Sequence, residues 1–178
     1  MRTSYSHPLQ IADVPFNGGT LGITFCPGKK QADGMTGSWN RDLMTDIQTI
    51  KDWTPDYVVS CIEPHEYVGL QVPDAIHVME QMGIHTVPLP FPDDTIPNAS
   101  LNKALEYWIP QFAACIEKSG RVLFFCKGGL GRSGYLLCRT LIELGVEPAK
   151  AITDLRSVRP GAVYTIEQME SILKESWK

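Results

Sequence analysis

Residues 121–133, RVLFFCKGGLGRS, limit the possible folds more than any other part of the chain. Positions 121–126 are almost entirely apolar and have the length of a strand, and residues 133–145 read as a helix. Between them lies only the glycine-rich loop 127–132. A strand that passes directly into a helix through a short loop is the junction of a parallel α/β sheet, and a strand apolar at successive positions is covered on both faces. Gly128, Gly129 and Gly131 allow positive φ, so consecutive N–H groups can point into one concavity. The following helix aims its positive end at the same place. Arg132 adds a planar fork matched to two phosphate oxygens. Lys127, Gly128, Gly129, Leu130, Gly131 and Arg132 together form a candidate nest for a dianionic tetrahedral group.

Cys126 lies at the base of that nest. Helix N-termini and nearby cations favour a thiolate. A thiolate there is placed to attack a bound phosphoryl group, replacing one difficult displacement by two easier ones through a cysteinyl-phosphate. A nucleotide P-loop does not fit, because Gly131 is followed by Arg-Ser and not by Lys-Ser or Lys-Thr.

The rest of the chain alternates strand and helix patterns. A strand at 21–25 precedes a turn-rich segment at 26–38. Leu43, Ile47, Ile50 and Trp53 then share one face of a helix over roughly 40–53. Residues 56–62 and 84–89 read as buried strands, separated by a helix that starts near Pro73 and stops at Gly83. Ser100 can cap a helix of about 18 residues. Pro148 opens another that must end before Pro160, and Thr165 and Gln168 have capping-box spacing for a last helix toward Trp177. This order predicts an α/β fold with a central, mostly parallel sheet flanked by helices on both faces. At 178 residues, with no linker or repeat, the whole of 1–178 reads as a single domain.

Composition removes several function classes. With 43% hydrophobic and 20% charged residues the chain is not disordered, and a net charge of −4 is the wrong balance for a nucleic-acid partner. No signal peptide and no run of roughly 20 apolar residues is visible, so the expectation is a cytoplasmic protein without a membrane segment. Five cysteines at irregular spacing argue for a reducing compartment. His7, His65, His77 and His85 lack ligand spacing, so neither a metal nor a cofactor is expected. Cys26, Cys61, Cys115 and Cys138 stand in apolar contexts and read as structural. Cys138 is the candidate resolving thiol if Cys126 is oxidised.

Residues 126–133 resemble the signature loop of the cysteine-dependent protein tyrosine and dual-specificity phosphatases. Residues 22–29, Arg41-Asp42-Leu43, 56–61, Glu66-Tyr67, Val72-Pro73 and 155–159 follow an order similar to the cyclin-dependent-kinase-associated phosphatase branch, over approximately 20–175. The resemblance implies a tyrosine-phosphatase-like fold and metal-independent hydrolysis of phosphate monoesters. It also implies a phosphorylated protein or peptide substrate and a kinase-type partner. Cys126 would be the nucleophile. A general acid is needed for the leaving oxygen, and it falls to Asp93, which matches the family position better than Asp94. Ser133 would donate a hydrogen bond to the Cys126 sulfur. The family usually has His before the nucleophile, whereas this chain has Phe125, which implies slower turnover or a higher pH optimum and leaves a phosphate-binding pseudophosphatase, acting as an interaction module, as an alternative. Lys127 is shared with phosphoinositide-directed members, making an inositol phosphate or phosphoinositide the other alternative, although Leu130 stands where those carry a second basic residue. Arg159 either lines the pocket or complements a helix C-terminus, and Gln168 either reaches a catalytic water or serves only as a cap.

Overall fold

A computed structural model describes residues 1–34 and 37–174. Five strands form the main sheet in the order β1-β2-β7-β5-β6: Ala12–Phe16, Gly19–Phe25, Arg121–Cys126, Tyr57–Ser60 and Thr86–Pro88. All neighbours are parallel except β1 and β2. The central strand is β7, with its residues paired to β2 on one side and β5 on the other.

The continuous apolar run of β7 follows from that position. Val122, Phe124 and Cys126 enter the core shared with α4 (Ala99–Glu117), α5 (Arg132–Glu143), α6 (Pro148–Val158) and α7 (Ile166–Leu173). Leu123 and Phe125 point the other way, into the core under α1 (Leu43–Asp52), α2 (Pro64–Gly69) and α3 (Ala75–Gln81). Alternation along one strand thus feeds two separate cores. Each large side chain fully buried there contributes about 1.5–3 kcal/mol of transfer free energy. The mostly parallel sheet with helices on both faces is the architecture expected from the pattern. No helix among the described residues is long and apolar enough to cross a membrane.

Three local features depart from the sequence reading. β1 is an unanticipated antiparallel edge strand, and its Pro15 is tolerated because an edge has one side free of ladder bonds. The segment at 26–38 is not only turn: β3 (Lys30–Gly34) and β4 (Gly37–Asn40) form a separate two-stranded sheet. Its sequence, KQADG and GSWN, has no apolar alternation. Tertiary contacts hold it, with Arg2 N donating to Ser38 O and Asn40 N to Arg2 O, and Trp39 buried. Asn98, not Ser100, caps α4 by accepting the Leu101 N–H at 2.9 Å. The expected extent of the last helix toward Trp177 lies outside the described residues.

The turn after β2 rests on a buried ion pair. Gly28 has φ +70° and sits so close to Leu43 that a Cβ would come within 2.7 Å of it. Its N–H donates to Asp46 Oδ2 at 2.8 Å. The Arg41 guanidinium donates to both Asp46 oxygens at 2.7 and 2.8 Å and to His7 O at 2.8 Å. Both charged side chains are fully buried. Removing one partner strands the other charge, so Asp46→Ala is expected to cost about 3–5 kcal/mol in urea denaturation. Asp154→Ala, which breaks the exposed Lys150 pair, is expected to cost about 0.5 kcal/mol or less.

Candidate active site

The parallel strands β2, β7 and β5 end on one edge, where β7 delivers Cys126 and the loop 127–131 begins. Outward tethers on the loop carbonyls set its geometry. Lys127 O accepts from Lys29 Nζ at 3.1 Å. Gly128 O and Gly129 O accept from the Arg159 guanidinium at 3.1 and 2.9 Å. Leu130 O accepts from Val163 N at 3.1 Å, and Gly131 O from Tyr135 N inside α5. In a trans peptide C=O and N–H point in opposite directions. Each outward carbonyl therefore turns the next N–H inward, the orientation that a concave row of donors requires.

The three glycines serve different ends. Only Gly129 has positive φ, +66°, and a Cβ there would come within 2.5 Å of the Thr24 backbone. At Gly131 a Cβ would meet Tyr164 at 2.9 Å, and at Gly128 it would meet nothing within 4 Å. Left-handed backbone is thus needed once, not three times.

Arg132 is the first residue of α5 and completely buried. Its two terminal nitrogens are bound by Glu66 at 2.6 and 2.9 Å, and one also donates to the carbonyls of Cys61 and Phe91. Among the described residues Nε has no hydrogen-bond partner. Asp93 Oδ1 lies 3.1 Å from it, a charge contact whose angle does not make a bond. Burial works against the charge of Arg132, but the Glu66 bonds and the charges of Cys126 and Asp93 outweigh it and raise the group above the ordinary arginine value. Burial acts on Glu66 in the opposite sense from its partner, and the bonds to Arg132 win, holding its carboxyl below the usual range.

Ser133 follows on the same helix with Oγ 3.2 Å from Cys126 Sγ. It is not the cap: α5 starts one residue earlier, with Gly131 at the cap position. Cys126, Asp93, Asp94, Lys127 and Gly131 line a cavity of about 180 Å³, together with Lys29, Tyr164 and residues of β3. Asp93 is partly exposed. Asp94 has φ +60° and accepts a hydrogen bond from the Tyr164 hydroxyl. The two acids are therefore distinguished: Asp93 faces Arg132, and Asp94 is engaged with Tyr164.

Of the remaining candidates, Arg159 is the cap residue after α6 and braces the back of the loop, a third role beside the two anticipated. Thr165 caps α7 through the Gln168 N–H, but the Gln168 side chain does not close a capping box. Its Nε2 donates to Thr95 O at 3.0 Å, which ties the segment carrying Asp93 to α7, and its buried Oε1 has no partner. Cys138 lies in the α4–α7 core with its thiol pushed up to about 12 by burial. The thiols that feel the charge of Cys126 are Cys26 and Cys61, both fully buried. Phe125 is buried under α1–α3, where the hydroxyls of Ser60 and Tyr67 bond to each other. Among the described residues no group of three or more His, Cys, Asp or Glu is arranged to hold a metal ion.

Glu66, Lys29 and Tyr164 were not identified as site residues from sequence. Glu66 carried one signal: Glu63 and Glu66 flank Pro64 at capping-box spacing, and Glu66 Oε2 accepts the Glu63 N–H at 2.9 Å. That box fixes the carboxylate which then receives Arg132.

Comparison with known proteins agrees with this geometry. The cyclin-dependent kinase inhibitor 3 family profile matches residues 8–152. Cyclin-dependent kinase inhibitor 3 of Mus musculus is 31% identical over 169 residues, covering 90% of this chain and 75% of the relative. The crystal structure of kinase-associated phosphatase, with its catalytic-site cysteine substituted by serine, superposes with a TM-score of 0.79 at 24% identity over 92% of each chain. The active form of Tk-PTP gives a TM-score of 0.68 at 27% identity, covering 92% of this chain and 95% of that one. With the fold of the tyrosine and dual-specificity phosphatases and a family match over most of its length, the chain belongs to the cyclin-dependent kinase inhibitor 3 family.

Proposed function

We propose that this chain is a metal-independent phosphatase that hydrolyses phosphate monoesters on phosphorylated proteins or peptides. The observation that carries this reading is the buried Arg132, with Nε unbonded, beside a row of inward N–H groups and the sulfur of Cys126. A buried donor without an acceptor is costly, and a phosphoryl oxygen would satisfy it. The loop amides would bind the equatorial oxygens, with the positive end of α5 behind them.

In the first step Cys126 Sγ attacks phosphorus and the P–O bond to the substrate breaks. Asp93 gives its proton to the departing oxygen. In the second step the Asp93 carboxylate takes a proton from water, the water oxygen bonds phosphorus, and the S–P bond breaks. Ser133 stabilises the sulfur anion as it leaves. Glu66 acts through Arg132, fixing the plane of the guanidinium. Leu130 and Lys127 would touch the substrate at the mouth.

The carboxylates of Asp93 and Asp94 on the cavity wall favour a phosphopeptide over a densely anionic inositol phosphate. A larger cavity of about 520 Å³ adjoins the site, sharing Gln31, Asp93 and Lys127, and gives room for residues flanking the phosphorylated one. The names of the relatives bring in a kinase as the partner class, which we extend to this chain. A cysteine nucleophile works only when reduced, which supports a cytoplasmic location.

Turnover of an aryl phosphate in EDTA tests the reading. Cys126→Ser is expected to abolish turnover while vanadate still binds. Asp93→Ala should slow an alkyl or phenyl ester about 10²–10⁴-fold, with a smaller loss for nitrophenyl phosphate, whose leaving group needs less protonation. Activity that survives Cys126→Ser would sink the mechanism. Vanadate binding by a wild-type protein that turns nothing over at any pH would establish the pseudophosphatase alternative. Faster hydrolysis of inositol phosphates than of phosphopeptides would move the substrate class.

Replacing Glu66 by Gln keeps one acceptor for Arg132 but removes the counter-charge and the bidentate match. The expected result is a rise in KM of about tenfold, the equivalent of one charge-assisted bond, measured by steady-state kinetics. An unchanged KM would show that the Cys61 and Phe91 carbonyls orient the guanidinium without it.

A further inference from the structure

Lys29 ends the turn after β2, only 4% exposed. Its Nζ donates to Lys127 O at 3.1 Å and lies 4.8 and 5.2 Å from the ring centres of Phe25 and Trp39. Among the described residues no carboxylate pairs with it. The nearby Asp46 is already occupied by Arg41 and the Gly28 N–H. A buried ammonium without a counter-charge is unfavourable for folding, and its position is nonetheless fixed: Gly28 has room for no side chain, and Lys29 O accepts the Arg41 N–H. Burial draws the ammonium down to about 8.

The groups that act on Lys29 electrostatically narrow its purpose. Cys26 and Cys126 favour its charge, while Arg41 and Arg159 oppose it. Burial drives the Cys26 thiol far above its ordinary value, so that sulfur stays neutral. The carboxylates in the same cavity are engaged elsewhere, Asp93 at Arg132 and Asp94 with Tyr164. Of the groups that favour the charge of Lys29, Cys126, which lines that cavity too, is left to supply the opposite charge.

We propose that Lys29 is a positioning residue for Cys126: its ammonium is the fixed positive charge that complements the thiolate and the arriving phosphoryl group, and its bond to Lys127 O turns the first loop peptide inward. The phosphoryl part rests on the phosphatase reading, whereas the thiolate part does not depend on turnover.

Alkylation of Cys126 by iodoacetate and by iodoacetamide, followed by peptide mass spectrometry, separates charge from structure. The two reagents differ in charge, so their rate ratio reports the local potential. In the wild-type protein iodoacetate is expected to be favoured at pH 7, with the ratio falling as pH rises through about 8, where Lys29 gives up its proton. Lys29→Met should lower the pH 7 ratio about tenfold and remove its step near pH 8. Lys29→Arg should keep the ratio high through pH 10. Lys127, Asp93, Asp94, Cys26, Asp46, Arg41 and Arg159 also face this region and are unchanged in every variant.

Thermal melting is the second readout. The fold disfavours the charged amine below about pH 8, so removing it in Lys29→Met should leave Tm unchanged or raise it at pH 7. A tether with no electrostatic role would lower Tm and leave the ratio alone, and that outcome overturns the proposal. If the Met variant does not fold, a low ratio in folded Lys29→Arg overturns it equally. A charge-dependent ratio in a protein without turnover would uphold the role of Lys29 beside the thiolate while refuting the phosphatase reading.

Discussion

The site depends on which way a few peptide groups face. A loop of five residues has no strand ladder or helix to orient it, and glycine flexibility alone would leave its carbonyls free to turn inward and repel an anion. Here each carbonyl from Lys127 to Gly131 has its own donor on the outside: Lys29, Arg159 twice, Val163 and Tyr135. Anion binding at this loop is therefore a property of its exterior. The donors come from the turn after β2, the end of α6, the segment before α7, and α5 itself. Packing of both layers against the sheet is transmitted to the amide row.

The second layer of control is the way Arg132 is held. Its guanidinium is committed on one edge to Glu66 and two carbonyls, which leaves the buried Nε without a hydrogen bond among the described residues. Glu66 comes from α2 on one face of the sheet, and α5 packs on the other, so the pair connects the two cores across the strand ends. An arginine fixed on one edge loses little freedom when the other binds, and the entropy cost is met during folding. Asp93 stands 3.1 Å from the same Nε, held there by neighbours anchored through Gln168 of α7 and Tyr164 just before that helix. On the proposed mechanism a phosphoryl group at Nε would share that position with Asp93, which would couple binding to placement of the carboxylate.

Much of this was legible in the chain because it is local. Strand β7, the loop and α5 are contiguous, and residues 126–133 carry thiol, amides, guanidinium and hydroxyl in one segment. Parallel pairing and two-sided burial followed from β7 having no polar position after Arg121. The parts that escaped are those fixed by contacts distant in sequence. Glu66 meets Arg132 across 66 positions, and Tyr164 meets Asp94 across 70. The β3–β4 sheet has no hydrophobic period of its own and is held by Arg2 and Trp39. Lys29 falls in the turn-rich segment 26–38, and nothing in CPGKK reveals that Gly28 packs on Leu43 while its neighbour is buried.

The distribution of buried charge ties these observations together. Arg41, Asp46, Lys29 and Arg132 are all in the interior, and all lie on the edge where the parallel strands end. Two of them, Arg41 and Asp46, neutralise each other and hold a turn. Arg132 is hydrogen-bonded to Glu66 on one edge and has only the charge contact with Asp93 on the other, and among the described residues Lys29 has no carboxylate partner. A fold selected for stability alone would replace the last two by apolar groups, since buried charge rarely repays its desolvation. The excess is positive and adjoins a thiol, at the end of a strand whose preceding residue, Phe125, offers no polar atom. Positive charge that the phenylalanine position cannot provide is thus supplied from the turn after β2 and from α5, and on the proposed mechanism the unfavourable burial and the chemistry of Cys126 have the same origin.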